Sequence, residues 1–417
     1  MIVDADSLVV DIGALVRPGE PRPGVRQRDL FLVERRVALA IKDGRVAVIG
    51  PESELRRAVS GARVISAGGR LVTPGLVDAH THLLFAGQRA HEVALKARGA
   101  TYLEILAAGG GILSTVRATR EASDAELLAQ TRNRLRTAVA HGTTRLEVKT
   151  GYDLTPAGEL HQVALLEDLR REGPWRLTIT FLGAHAVPEE YRGRAAEFLQ
   201  ELMRVHPKLV GHADFVDIFQ EPGVFEREEA RPYLEDARKR GLAIKLHVDE
   251  LADGGGAALG AALGATSVDH LAHTGSAGVE RLRESATVAV LLPGTSGYLN
   301  QGPHAPARSL LEAGVPVAVA SDGNPGSSPT VALAPILPWA ASWLHMEPEE
   351  LWPAVTTVAG AALGHPESGR LERGDPADFL IWETDDYRVP CYQYGTSLVD
   401  ETYIGGRLVA ASGRPLF

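Results

Sequence analysis

The stretch Val72-Thr73-Pro74-Gly75-Leu76-Val77-Asp78-Ala79-His80-Thr81-His82 is an apolar run that follows a Pro-Gly turn and ends in two histidines one residue apart. Side chains alternate between the two faces of a strand, so His80 and His82 point the same way and can bind one metal ion. A buried strand that delivers two imidazoles at its C-terminal end is what a catalytic metal at the top of an α/β barrel requires.

Further apolar runs of strand length follow along the chain, separated by segments of helix length. With the first, there are eight runs, at 76–82, 144–149, 177–185, 215–219, 243–247, 267–270, 288–292 and 317–322. Eight βα units predict a (β/α)8 TIM-type barrel over residues 74–368, in which function lies on the loops after the strands. A doubly wound sheet is the alternative, but its glycine fingerprint is missing.

Both ends of the chain have the pattern of short strands. A hairpin is predicted at 37–41 and 46–49, and strands are predicted at 379–382, 403–404 and 407–409, the last two joined by Gly405 and Gly406. Neither end is large enough to bury a core alone. We therefore expect one small composite β-sandwich domain, built from residues 1–73 and 369–417, because chain ends commonly lie close together.

Composition excludes several classes of partner. The 417 residues carry a net charge of -10, with arginines mixed among acids, which argues against a nucleic-acid partner. The longest apolar region, 331–344, is broken by Pro335 and Pro338 and is too short to span a membrane. Cys391 is the only cysteine, and acidic residues stand at the start where a signal peptide would be basic, so we expect a cytoplasmic protein.

Residues that can bind a metal ion or transfer a proton follow the predicted strands, at one rim of the barrel. The residues are His80 and His82 after the first strand, His185 after the third, His247 with Asp249 and Glu250 after the fifth, Asp269 and His270 after the sixth, and Asp322 after the eighth. Three imidazoles and one carboxylate suit a transition ion with an open position for water, zinc or iron fitting best. Such an ion lowers the pKa of a bound water from about 15.7 to about 7.

The end of the fourth predicted strand bears on the number of metal ions. Two-metal barrel sites usually need a bridging carboxylated lysine or a glutamate there, and this strand ends in Phe219-Gln220-Glu221 without a lysine. We therefore expect one ion per chain, with Glu221 keeping a two-metal site open as the alternative.

Six segments match motifs of a known family, at 74–82, 85–89, 99–102, 109–120, 180–188 and 322–327. Over nearly its whole length the chain resembles the amidohydrolase superfamily. The first motif is shared across many of its members, whereas 109–120 and 322–327 are much narrower. They resemble the branch that hydrolyses the ring amide of an imidazolone carrying a propionate, in histidine degradation.

The resemblance implies a role for each matching residue. It implies one divalent or trivalent ion, zinc or iron, bound by His80, His82, His247 and Asp322. It implies substrate contacts from Arg89, Tyr102, Tyr152, His185, Glu250, Asn324, Gly326 and Ser327, and catalytic roles for Asp322, Glu250 and His270. It also suggests a homodimer. Asp153 and Gly323 depart from the family's usual residues without removing a ligand.

The chemistry implied by this branch explains the residue types. Arg89 would bind the propionate bidentately through its planar guanidinium. His185 or His270 would polarise the ring carbonyl, Glu250 would bind a ring N–H, and Asp322 or Glu250 would pass a proton to the departing nitrogen.

Two other functions remain open from the sequence. One is a hydrolase or aminohydrolase acting on a nucleobase or hydantoin, which Arg89 and Tyr152 argue against because a neutral heterocycle has no carboxylate. The other is a catalytically silent binding protein, which the intact ligand set argues against. The expected partner is a small-molecule substrate.

Overall fold

The computed structural model describes residues 3–22, 24–99, 110–300 and 302–417, and within them the strands form three sheets. The N-terminal strands are β1 (Ser7–Val10), β2 (Ala14–Val16), β3 (Val33–Glu34), β4 (Val37–Lys42), β5 (Arg45–Pro51), β6 (Arg63–Ser66) and β7 (Leu71–Pro74). The central strands are β8 (Leu76–Asp78), β9 (Thr143–Lys149), β10 (Arg176–Ala184), β11 (Phe215–Gln220), β12 (Ala243–Val248), β13 (Ser267–His270), β14 (Val288–Leu291) and β15 (Val317–Val319). The C-terminal strands are β16 (Phe379–Trp382), β17 (Val399–Ile404), β18 (Arg407–Ala411) and β19 (Arg414–Pro415).

The helices mostly connect the central strands. They are α1 (Glu52–Ala58), α2 (Glu92–Ala97), α3 (Ile112–Glu121), α4 (Asp124–Ala140), α5 (Pro156–Glu172), α6 (Ala195–Met203), α7 (His206–Leu209), α8 (Arg227–Lys239), α9 (Gly256–Leu263), α10 (Ser276–Arg283), α11 (Pro293–Leu299), α12 (Ala307–Glu312), α13 (Leu337–Trp343), α14 (Pro348–Ala354), α15 (Thr357–Ala362) and α16 (Val389–Tyr392). None of these helices in the described residues combines the length and the apolar character needed to cross a bilayer. Side chains cap several helix starts; for example, Ser123 forms a capping box with Glu126 at α4, and Thr155 caps α5.

The central sheet runs β8 to β15 in chain order, and every neighbouring pair is parallel. This confirms the predicted (β/α)8 barrel. Apolar side chains such as Leu146, Val148 and Ile179 are fully buried in the main core cluster, together with helix residues such as Leu135 and Leu166.

The barrel closes through the segments that follow its first and last strands. The Asp322 N–H donates to the His80 carbonyl at 3.0 Å, and the His82 N–H donates to the Gly323 carbonyl at 2.9 Å. The prediction that these strands run regularly to His82 and Asp322 was wrong, because regular pairing ends earlier, at the ends of β8 and β15. An isolated parallel bridge between Thr81 and Gly323 keeps the first segment alongside the last.

Charged side chains occupy part of the barrel interior. Glu147, Lys149, Asp217, Lys245 and Asp269 are completely buried, and all five lie on β9, β11, β12 or β13. Barrels of this class usually fill the interior with branched aliphatic residues. Charges buried in this way require partners, and these five supply one another's.

The terminal strands form two sheets with a common core. One sheet has the order β5-β4-β1-β6 and the other β19-β18-β17-β16-β7-β2-β3. The pairing of β16 with β7 joins the two ends of the chain in one sheet. The core between the sheets includes Val9, Leu39 and Ile65 from the first and Leu15 and Phe379 from the second. The composite β structure from both termini is confirmed, and 1–73 with 369–417 remains our proposal for its boundaries.

Deleting residues 369–417 is expected to give aggregated protein. The deletion removes β16 to β19, which exposes the edge of β7 and the buried faces of Leu15 and Val72. An exposed sheet edge beside apolar surface promotes association between chains. Size-exclusion chromatography checks this for both terminal deletions. A soluble, active barrel that lacks residues 1–65 would show the domain proposal to be wrong.

Candidate active site

Four ligand atoms converge at the C-terminal end of the barrel. The Nε2 atoms of His80 and His82 lie 3.1 Å apart, and those of His82 and His247 lie 3.4 Å apart. Oδ1 of Asp322 lies 3.4 Å from Nε2 of His80 and 3.5 Å from Nε2 of His82. All four side chains are buried.

This donor set fits one transition-metal ion. Bonds of about 2.0–2.1 Å to a tetrahedral ion put neighbouring donors about 3.3–3.4 Å apart, close to the distances found. Burial, together with neighbouring positive groups, holds the pKa of His80 and of His82 well below the usual value, so both imidazoles are neutral and can donate lone pairs.

Glu221, the residue that kept a two-metal site open, lies in neither of the two potential ligand clusters found among the described residues. Its Oε1 accepts hydrogen bonds from the backbone N–H groups of Glu250 and Leu251. In this position it fixes the loop after β12.

His185 and Tyr152 form an aromatic wall beside the ligand cluster. The ring of His185 stacks on His82 with centroids 4.9 Å apart, and Tyr152 lies 5.4 Å from His185 and 6.1 Å from His82. Nδ1 of His185 donates to the Gly151 carbonyl at 3.0 Å, which leaves the lone pair of the neutral ring on Nε2. Burial lowers the pKa of His185 to about 3 and keeps the ring neutral.

Glu250 and His270 face a cavity of about 250 Å³. Oε2 of Glu250 lies 3.6 Å from Nε2 of His270. Burial, and after it the nearby charges of Asp322 and Glu221, raises the pKa of Glu250 to about 8. Glu250 is therefore a carboxylic acid at neutral pH, a form that can give a proton away.

Asp322 lies in the loop after β15, which ends at Val319, and its backbone has a φ of +51°. Burial raises its pKa to about 6, and the hydrogen bond from the Thr295 hydroxyl to Oδ2 opposes this rise. Because Thr295 binds Oδ2, the other carboxylate oxygen of Asp322, Oδ1, faces the imidazoles of His80 and His82. Sequence reasoning missed Thr295, because it lies in α11 with no motif around it.

Arg89 lies next to the loop that follows Asp322. Its Nε and Nη2 atoms donate to the two carboxylate oxygens of the fully buried Glu92, both at 2.9 Å. Its Nη1 atom approaches Gly326 so closely that a Cβ there would lie 1.9 Å from it. The sequence-predicted contacts Arg89 and Gly326 are therefore neighbours, and Glu92 is a partner that the sequence did not reveal.

Asn324 and Ser327 shape the same loop. The Asn324 side chain accepts from the backbone N–H groups of Gly326 and Ser327, both at 2.8 Å, and donates to the Asp322 carbonyl at 2.7 Å. Asn324 thus holds the loop against Arg89. Tyr102, the remaining sequence-predicted contact, lies outside the described residues.

Comparison with known proteins fits this geometry. The model of the amidohydrolase family matches residues 71–409. The chain is 43% identical to the imidazolonepropionase of Bacillus velezensis, with 97% of each protein covered, and 45% identical to that of Symbiobacterium thermophilum, with 98% of each covered. The chain belongs to the amidohydrolase family, within its imidazolonepropionase group.

Solved structures of more distant proteins share the fold. An adenosine deaminase from Xanthomonas campestris with bound zinc superposes with a TM-score of 0.72 at 18% identity, covering 100% of this chain and 95% of that one. The guanine deaminase of E. coli gives 0.69 at 16% identity, covering 97% and 99%.

Beneath the ligands, this amidohydrolase has carboxylates that sequence reasoning did not select as a group. Oδ2 of Asp269 lies 2.7 Å from Nδ1 of His80, and Oδ2 of Asp217 lies 3.0 Å from Nδ1 of His247. Burial alone would raise the pKa of Asp217, but His247 and Lys149 lower it well below its usual value. Their signal in the sequence was a single acidic residue inside a strand whose residues are otherwise mostly apolar and buried, as at Asp217 in β11.

Proposed function

We propose that the chain hydrolyses the ring amide C–N bond of 4-imidazolone-5-propanoate to N-formimino-L-glutamate, a step of histidine degradation. The observation that carries the proposal is the convergence of three imidazoles and Asp322, with Glu250 facing the cavity beside His270 and Arg89 lying against the loop that follows Asp322. The proposal includes a small-molecule substrate and a cytoplasmic homodimer.

One ion, zinc or iron, would be held by His80, His82, His247 and Asp322. When bound, such an ion supplies Lewis acidity and lowers the pKa of a water ligand to about 7. The choice between metals of similar ligand preference depends largely on availability.

The carboxyl groups of Asp322 and Glu250 carry out different proton transfers in the proposed reaction. Asp322 accepts the proton of the attacking water, since its pKa of about 6 keeps it ionised at neutral pH. Glu250, with a pKa of about 8, donates a proton to the ring nitrogen as the C–N bond breaks. Two neighbouring acids with separated pKa values are a common basis for acid–base catalysis.

The two outer imidazoles have different roles in the proposal. Nε2 of His185 is an acceptor because Nδ1 donates to Gly151, so His185 suits a ring N–H. His270, beside Glu250 in the cavity, then remains to donate to the carbonyl oxygen as negative charge develops on it.

Arg89 recognises the propionate. Because Glu92 takes the edge formed by Nε and Nη2, the carboxylate of the substrate would contact Arg89 from the Nη1 side, beside Gly326. Glu92 holds the guanidinium in this orientation, and Asn324 holds the opposing loop.

Arg89→Met is expected to lower kcat/KM for imidazolone propionate by roughly one to two powers of ten, because a charge-assisted contact of about 1.5–3 kcal/mol is lost. Metal content should not change. Steady-state kinetics and elemental analysis check this, with a ring amide that lacks the propionate as the control substrate. That substrate should be poor for the wild type and lose little more in the variant. Wild-type turnover of imidazolone propionate by Arg89→Met would favour a nucleobase or hydantoin substrate instead.

A further inference from the structure

Five charged side chains fill the barrel directly beneath the ligand cluster. Three carboxylates, Glu147, Asp217 and Asp269, face the ammonium groups of Lys149 and Lys245, and none of the five is exposed to solvent. Buried ion pairs contribute little net stability compared with apolar packing, so stability alone does not explain this arrangement.

Lys149 has a distinctive place among them. Its Nζ lies 2.7 Å from Oδ2 of Asp217, 3.0 Å from Oε2 of Glu147 and 3.4 Å from Oδ2 of Asp269. The two aspartate oxygens that it approaches are the same atoms that lie 3.0 Å from Nδ1 of His247 and 2.7 Å from Nδ1 of His80. One ammonium group therefore connects the carboxylates behind two imidazoles, one on β12 and one in the segment after β8.

The geometry points to Lys149 as a positioning residue of the metal centre, an inference that rests on the metal site of the proposed function. Lys149 holds Asp269, which hydrogen-bonds Nδ1 of His80, and Asp217, whose Oδ2 lies in polar contact with Nδ1 of His247 at 3.0 Å. The Nε2 atoms of both rings then face one point before any ion arrives. Carboxylates behind metal-binding imidazoles orient the rings and strengthen metal binding in other proteins.

The rest of the site is held by other contacts. Asp322 is oriented by Thr295 from α11, and His82 stacks on His185. Lys245 donates to Glu147 and to the Ala79 carbonyl, both at 2.9 Å, and lies 3.9 Å from Asp269. Loss of Lys149 should therefore loosen His80 and His247 specifically.

The chain offers a matched control on the same strand. Arg145 is four residues before Lys149 on β9 and is also largely buried, but its guanidinium binds the Ser368 hydroxyl at 2.6 Å, away from the ligands. Replacing either cation by methionine removes one buried positive charge. Only Lys149→Met removes a contact to the carboxylates behind the imidazoles.

Zn²⁺ affinity by chelator competition, the visible spectrum of the Co²⁺-loaded full-length protein and the Tm of the metal-free protein test the inference. Lys149→Met should bind Zn²⁺ about 10 to 100 times more weakly, the usual effect of losing such support, and its Co²⁺ spectrum should change. Arg145→Met should lose Tm while keeping wild-type affinity and spectrum. Wild-type affinity in Lys149→Met, or an equal loss of affinity in Arg145→Met, would overturn the inference.

If Lys149→Met does not fold, Asp217→Asn tests the contacts that run from Lys149 through Asp217 to His247. It should weaken Zn²⁺ binding by about tenfold, and wild-type affinity would overturn the inference. The outcome is separable from the proposed function. A wild-type protein that binds Zn²⁺ but does not open imidazolone propionate would contradict only the latter.

Discussion

His247→Ala is expected to abolish turnover and to remove most of the bound metal, while the barrel stays folded. Nε2 of His247 lies 3.4 Å from Nε2 of His82. Among the described residues, the proposed ligand set holds no further imidazole that could replace it. A bound ion contributes several kcal/mol to transition-state stabilisation, so its loss should lower the rate by at least about three powers of ten.

Elemental analysis of the purified variant, with circular dichroism to check folding, measures this effect. The control is His141→Ala, a histidine at the C-terminal end of α4 that should keep both metal and activity. Full metal retention in His247→Ala, or two metals per chain in the wild type, would overturn the one-metal site.

Glu250→Gln is expected to lower kcat by a factor of about 10² to 10⁴ without loss of metal, because an amide cannot donate an acidic proton to the leaving nitrogen. The role of Glu250 as an acid also predicts the direction in which kcat changes with pH. Since burial raises the pKa of Glu250 to about 8, the acid is present below that pH, and wild-type kcat should fall as pH rises through about 8.

This alkaline fall should be absent from the Glu250→Gln profile. Glu221→Gln serves as the control, because its amide oxygen can still accept from the Glu250 backbone and the loss should be much smaller. A variant Glu250→Gln with wild-type kcat and an unchanged profile would assign the proton transfer to another group.

The eight barrel strands were predictable because each is a short segment rich in apolar residues, and segments of helix length separate them. Residues such as Leu146 and Val148 pack into the main core, so the sequence pattern follows directly from burial. The strand ends were less predictable. At β8 and β15 the barrel closes through irregular contacts at Thr81 and Gly323, which no local pattern reveals.

The convergence of the four proposed metal ligands was predictable from their positions after the strands, together with the family resemblance. Their supporting partners were not, because they come from distant segments. Thr295 reaches Asp322 from α11, and Lys149 meets Asp217 and Asp269 only once β9, β11 and β13 are assembled in the barrel. Glu92 was likewise hidden, since its pairing with Arg89 depends on where α2 starts.

Hydrolysis of imidazolone propionate by metal-loaded and metal-stripped protein tests the central claim most directly. Loss of substrate absorbance and formation of N-formimino-glutamate would be followed in parallel, with Arg89→Met as a loaded control. We expect turnover by the loaded wild type, none by the stripped protein, recovery on adding Zn²⁺ or Fe²⁺, and a loss of one to two powers of ten in Arg89→Met. Turnover that persists after complete metal removal, or a loaded wild type that leaves the substrate intact, would contradict the proposed metal-dependent reaction.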